Sequence, residues 1–207
     1  YANATATQHW VDEARSTTVP FVMIDDHIVL PVRINASEPM NFVLDSGAGA
    51  NLILESRASK TLHLELGAEL NVSGVGTGPG PVARIVTDTE LSLGGLHLEG
   101  LSVIYLPLDS VPFFDNLDEV YFDGVIGAPF FERFVIEIDY DRQLISFSEP
   151  QSAQADIARR TASWEELPLQ IQSGVPYLHT QISTDSTHTV AVKLLVDTGY
   201  RGPVSLT

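Results

Sequence analysis

The sequence contains no cysteine. Disulfides, thiolate metal ligands and a cysteine nucleophile are therefore excluded. Cations are scarce: 11 Lys and Arg stand against 27 Asp and Glu, a formal net charge of −16. Such a chain is a poor partner for nucleic acid, because phosphate contacts are made by Lys and Arg. No apolar run approaches the ~18 residues that cross a bilayer as a helix. The histidines His9, His27, His63, His97, His179 and His188 show no HExxH or other metal-ligand spacing. No GxSxG elbow surrounds a serine, which argues against a serine hydrolase. No metal and no cofactor is expected. The first residue is Tyr1, not Met, so the sequence reads as processed or trimmed. That leans toward a periplasmic or secreted setting, with the compartment otherwise open.

What is present is apolar material in short, β-rich runs. The 207 residues are 44% hydrophobic, with a mean hydropathy of +0.10. That suffices for a core and excludes a disordered acidic tail. Phe21 to Ile34 reads as a hairpin around Asp25-Asp26-His27, and Gly94-Gly95 joins two further strands,. Glu55 to Leu62 is the first plausible helix. Pro129 to Phe134 suggests a short helix with Pro in its first turn, and Val135 to Phe147 a hairpin across Asp141-Arg142. The expected fold is all-β with short helices. Residues 1–19 read as a polar leader, 20–150 as one lobe and 151–163 as a linker. The strand pattern restarts over 164–207, with a hairpin around Ser173-Gly174.

That restart carries the functional signal. Leu44-Asp45-Ser46-Gly47 and Val196-Asp197-Thr198-Gly199 share one motif, 152 residues apart. Each follows a β-hairpin pair, and each precedes an apolar segment. Internal duplication accounts for this. The strand drives the carboxyl inward, and the glycine lets another backbone approach. A buried carboxylate costs several kcal/mol unless it is hydrogen-bonded, protonated or paired. Two such loops related by pseudo-twofold symmetry would bring two carboxyls side by side. At about 3 Å both cannot readily ionise, so the pair holds one proton and offers an acid and a base together.

On these residues the chain resembles the retropepsin-like and pepsin-like aspartic proteases, and bacterial aspartyl protease domains most. Val43 to Ala48 matches their catalytic loop. The glycine-rich Gly74 to Gly80 lies where they carry a flap, and Asp123-Gly-Val-Ile-Gly127 matches the step packed beside the catalytic loop. The resemblance covers about residues 20–150. It implies a β-barrel lobe of the acid-protease type, followed by the first half of a second such lobe. It implies Asp45 and Asp197 as catalytic aspartates, with Ser46, Gly47, Thr198 and Gly199 supporting the two loops. Gly74, Val75, Gly76, Thr77 and Gly78 would close over an extended peptide, and the implied activity is peptide-bond hydrolysis by an activated water. The second copy departs from the pattern. Tyr200 replaces Ala48, and ten residues follow Asp197 in the sequence. Two pairings are open: Asp45 with Asp197, the second lobe being completed by further chain or by another chain, or Asp45 with Asp45 across a homodimer.

Other readings compete. Asp45 and Asp197 could be turn aspartates capping their own backbone. The same scaffold could bind extended peptide without cleaving it. Two carboxyls also serve glycosidases. Gly74 to Gly80 is a poor phosphate loop, since Pro79 and Pro81 oppose a following helix,. The acidic stretch from Asp109 to Asp123 lacks EF-hand spacing and reads as a solvated loop.

Overall fold

The computed structural model describes residues 6–11, 13, 15–71, 82–110, 116–160, 164–183 and 188–202. The first strands are β1 (Thr7–Trp10), β2 (Ser16–Pro20), β3 (Val22–Ile24), β4 (His27–Ile34) and β5 (Met40–Leu44). Next come β6 (Leu52–Leu54), a 3-10 turn (Ser59–Leu62), β7 (Glu69–Asn71), β8 (Val82–Leu93) and β9 (Leu96–Leu106). A second 3-10 turn (Leu108–Ser110) precedes β10 (Gly124–Ile126), α1 (Ala128–Arg133), β11 (Val135–Asp139) and β12 (Leu144–Ser148). The chain continues through α2 (Pro150–Arg160), β13 (Leu169–Gln172), β14 (Val175–Ser183) and β15 (Thr189–Leu195). The fold is all-β with short helices.

Six strands close a ring. β9 pairs with β6, β6 with β10, β10 with β5, β5 with β4, β4 with β8, and β8 returns to β9. Closure leaves these strands without a free edge inside the ring. Val, Ile, Leu and Phe alternate inward on the pleat. Leu30, Val32, Ile34, Phe42, Leu44, Ile53, Leu91, Leu93, Leu96, Leu98 and Ile126 are almost wholly buried. β10 runs parallel to β5, with Val125 beside Val43 and Ile126 beside Leu44. It also runs antiparallel to β6. It therefore lies beneath both ends of the loop that carries Asp45.

Within the segment read as a leader, residues 1–19, the structure describes two strands. β1 adds to the barrel edge at β9, with Trp10 opposite Leu96, and β2 pairs along β12. Trp10 stacks edge-on against Phe134 at 5.8 Å, and Val19 is buried. The polar composition conceals this because each strand has one apolar anchor, while Gln8 and Thr17 on the same faces are satisfied by hydrogen bonds to Arg133 and to the Gly95 N–H. The plausible helix over Glu55 to Leu62 contracts to the 3-10 turn, since Ser56 and Ser59 hydrogen-bond each other's backbone N–H. Such bonds compete with helix continuation. The segment read as a linker holds α2.

β13, β14 and β15 form a separate antiparallel sheet. Its first hairpin repeats the geometry of β3–β4. Two residues in left-handed conformation link each pair: Asp25 and Asp26 in one, Ser173 and Gly174 in the other,. The repeats differ in burial. Leu30, Phe42 and Leu44 are sealed under the barrel, whereas Leu169, Ile171, Val190 and Leu195 are exposed.

Gly124 gives a direct test of barrel packing. A Cβ there would lie 2.3 Å from Phe42 Cε1 and 2.5 Å from the Leu52 carbonyl oxygen. Gly124→Ala is expected to destabilise the lobe by about 1–3 kcal/mol, the usual cost of overpacking. A lowered denaturant midpoint would show it. Gly49→Ala, where a Cβ meets nothing within 4 Å, should leave the midpoint unchanged.

Candidate active site

The two repeated motifs meet within one chain. β5 ends at Leu44, and the Asp45 N–H donates to the Ile126 carbonyl at 2.9 Å. β15 ends at Leu195, and the Val196 N–H donates to the Pro176 carbonyl at 2.9 Å. Each loop leaves its strand pinned by a neighbouring strand and turns at Asp-Ser/Thr-Gly. Asn51 fixes the far side of the first loop: its Oδ1 accepts from the buried Gly127 N–H at 3.0 Å. The Ala128 N–H adds a bond to the Ala48 carbonyl at 2.8 Å.

The loops grip each other reciprocally. Ser46 Oγ donates to the Val196 carbonyl at 2.7 Å and accepts from the Thr198 N–H at 3.1 Å. Thr198 Oγ1 donates to the Leu44 carbonyl at 2.9 Å and accepts from the Ser46 N–H at 3.0 Å. A hydroxyl suits this task because it donates and accepts at one atom. Ser and Thr are thus interchangeable here in a way that Ala or Cys is not. Ser46 is buried, so the four backbone groups it and Thr198 serve are poorly reached by water.

The glycines explain the close approach. A Cβ on Gly47 would sit 2.7 Å from Cγ of Asp197, and one on Gly199 would sit 2.4 Å from Cγ of Asp45. Each glycine therefore backs the opposite carboxyl. The two carboxyls lie within hydrogen-bonding reach of one another. Asp45 Oδ1 accepts from the Gly47 and Ala48 N–H groups at 2.8 and 3.0 Å. Asp197 Oδ1 accepts from the Gly199 N–H at 2.8 Å. Burial first, then the charge of Asp197 and the hydrogen bond to it, push the Asp45 carboxyl from 3.8 up to about 6,. The two backbone N–H groups oppose that rise without cancelling it. The arrangement can hold one proton between two oxygens at mildly acid pH.

A second layer surrounds the loop of Asp197. His27 lies between the Gly199 carbonyl, 3.0 Å from Nε2, and the Tyr121 hydroxyl, 2.8 Å from Nδ1. Arg201 pairs with Asp25. Motif reasoning assigns His27 no such task, because its partners lie 94 and 172 residues away in sequence. Asn51 is missed for the same reason, although a polar residue opening an apolar run is a usable signal. The acidic stretch is partly spent inside the fold. Asp123 accepts from Ser56 Oγ at 2.5 Å and from the Asn41 N–H at 2.8 Å, and Asp118 pairs with Arg57. Among the described residues, no group of three or more His, Asp or Glu is placed to hold a metal ion. Gly74, Val75, Gly76, Thr77 and Gly78 lie outside the described residues. The Asn71–Val82 pair of β7 and β8 brackets them.

The family model described as aspartyl protease matches residues 30–130. The crystal structure of a retropepsin-like aspartic protease from Rickettsia conorii is similar over 69% of this chain and 94% of that chain. The identity is 14% and the TM-score 0.39. No curated protein matches the chain.

Two predictions follow from the grip and the paired carboxyls. Ser46→Ala and Thr198→Val each strand a carbonyl and an N–H, at a cost of about 1–3 kcal/mol. The double variant should cost less than the sum, because either loss lets the loops part. A double-mutant cycle on unfolding free energies checks this. Asp45 binds its proton more tightly folded than unfolded, so its contribution to stability is fully present below pH 3.8 and is lost as pH rises toward about 6,. Asp45→Asn keeps the Oδ1 acceptor without the charge. It should melt above the parent at pH 7, with the gap closing below pH 4. A gap that stays constant across that range would remove the argument from burial.

Proposed function

We propose that this chain is an aspartic endopeptidase, a reading supported by the aspartyl protease family match over residues 30–130. Supporting the reading above all is the approach of Asp45 and Asp197 under the reciprocal Ser46–Thr198 grip. That both carboxyls meet within one chain favours this pairing over Asp45 with Asp45 across a homodimer.

The chemistry follows from one proton on two carboxyls. Asp45, whose proton is held up to about pH 6, is the acid. Asp197 is the base. A water between them gives a proton to Asp197 as its oxygen attacks the peptide carbonyl carbon. Asp45 gives its proton to the carbonyl oxygen, so the tetrahedral intermediate forms without a bare oxyanion. Collapse then returns a proton from the intermediate to Asp45. Asp197 passes its proton to the amide nitrogen, the C–N bond breaks, and the products are an acid and an amine. The backbone N–H groups of Gly47, Ala48 and Gly199 hold the carboxyls in orientation throughout. The substrate is an extended peptide, with the 74–78 segment as its cover.

Cleavage of an unbiased peptide library tests the reading. Asp45→Asn and Asp197→Asn should each lower kcat/KM by about 10²–10⁴-fold or more. The parent's rate should fall as pH rises through about 6, where the shared proton leaves,. An Asp45→Asn protein as fast as the parent would end the proposal. A parent that binds peptide without turning it over would instead mark a non-catalytic binding module.

A further inference from the structure

The two halves of the site are built from matching hairpins, yet one residue breaks the match. His27 pairs with Ile24 immediately after the two-residue turn of β3–β4. Val175 holds the same register against Gln172 in β13–β14. A valine side chain has no polar atom. The imidazole of His27 has two, and both are engaged, on Gly199 and on Tyr121.

Partner chemistry fixes the ring. The Gly199 carbonyl can only accept, so Nε2 carries hydrogen and donates. Nδ1 of the neutral ring then accepts from the Tyr121 O–H. If the ring takes a second proton at Nδ1, the Tyr121 oxygen can accept it, and the Nε2–H bond to Gly199 survives. The bond to the loop therefore persists in either charge state. Tyr121 and Phe122 flank the ring at 6.0 and 6.5 Å between centroids. Arg201, two residues beyond Gly199, pairs with Asp25 in the same turn. One rigid hairpin thus holds the Asp197 loop at two points.

The held peptide unit matters because of its neighbours. Gly199 donates its N–H to Asp197 Oδ1, and its Cα lies against the Asp45 carboxyl. A shift of this peptide would move both carboxyls relative to each other. We infer that His27 is a positioning residue of the dyad, setting the separation of Asp45 and Asp197 through the Gly199 carbonyl. For its catalytic consequence, this rests on the proposed endopeptidase activity. The geometric claim does not.

The test uses two variants of the full chain and a readout that needs no turnover. His27→Phe keeps a ring and removes the donor. His27→Gln keeps an N–H near the position of Nε2. Asp45 is followed by ¹³C-carboxyl NMR titration, with Asp197 facing it, and with Asp25, Arg201 and Tyr121 facing position 27. In His27→Phe the midpoint of Asp45 should fall by about one pH unit, as the loop loosens and water reaches the carboxyl. His27→Gln should restore most of the parent value. In the peptide assay, His27→Phe should lose about 10–100-fold in kcat with KM nearly unchanged, since the ring does not contact the scissile bond. An Asp45 titration identical in parent and His27→Phe would overturn the inference, as would a Gln variant no better than Phe. A parent with no hydrolysis at all would instead refute the endopeptidase reading and leave the NMR comparison decisive for His27.

Discussion

Four hydrogen bonds between the Asp45 and Asp197 loops carry the rest of the site. Each hydroxyl is bonded twice to the opposite loop, so neither loop has a complete set of partners alone. Through them the glycines reach the opposite carboxyls, and burial together with the approach of Asp197 raises the proton affinity of Asp45. Packing delivers the loops to this meeting point. β10 supports the first from below, and β14 supports the second. The grip converts that rough placement into a fixed distance.

The site is symmetric in its motif and asymmetric in its support. The first loop is held by Ile126 at the end of β10, by Asn51 just before β6 and by Ala128 at the start of α1. The second belongs to a three-stranded sheet with an exposed apolar face, and relies on His27 and Arg201 reaching across to it. The Asp45 carboxyl accepts two backbone N–H bonds and the Asp197 carboxyl one. Two chemically identical side chains thus stand in different surroundings.

Much of the fold was legible because its signals are local. Alternating Val, Ile and Leu marked the strands, paired turn residues at 25–26, 94–95 and 173–174 marked the hairpins, and the duplicated Asp-Ser/Thr-Gly marked the loops. The aspartyl protease resemblance rested on the first lobe, and the family match at residues 30–130 falls there. What escaped was set by distant partners. β1 and β2 left little mark because an edge strand anchored by a single large side chain, Trp10 or Val19, shows little apolar periodicity. The helix expected after Glu55 gave way to mutual Ser56–Ser59 bonds. His27 looked like an ordinary hairpin residue, since nothing near it in sequence reveals that Gly199 will supply its acceptor. Asn51 escaped likewise, because the Gly127 N–H that it accepts from lies 76 residues away.

The separation of 152 residues between the paired hydroxyl residues has a consequence for the order of events during synthesis. A growing chain can close most of its barrel from local hairpins while Thr198 is still untranslated. Until that residue arrives, Ser46 has no partner across the site, and a lone Asp45 lacks the second oxygen that tightens its hold on a proton. Long-range contacts of this kind form late, because loop closure must come first. The meeting of the two loops is thus withheld from the nascent polypeptide until the strands that carry Thr198 have been made and docked.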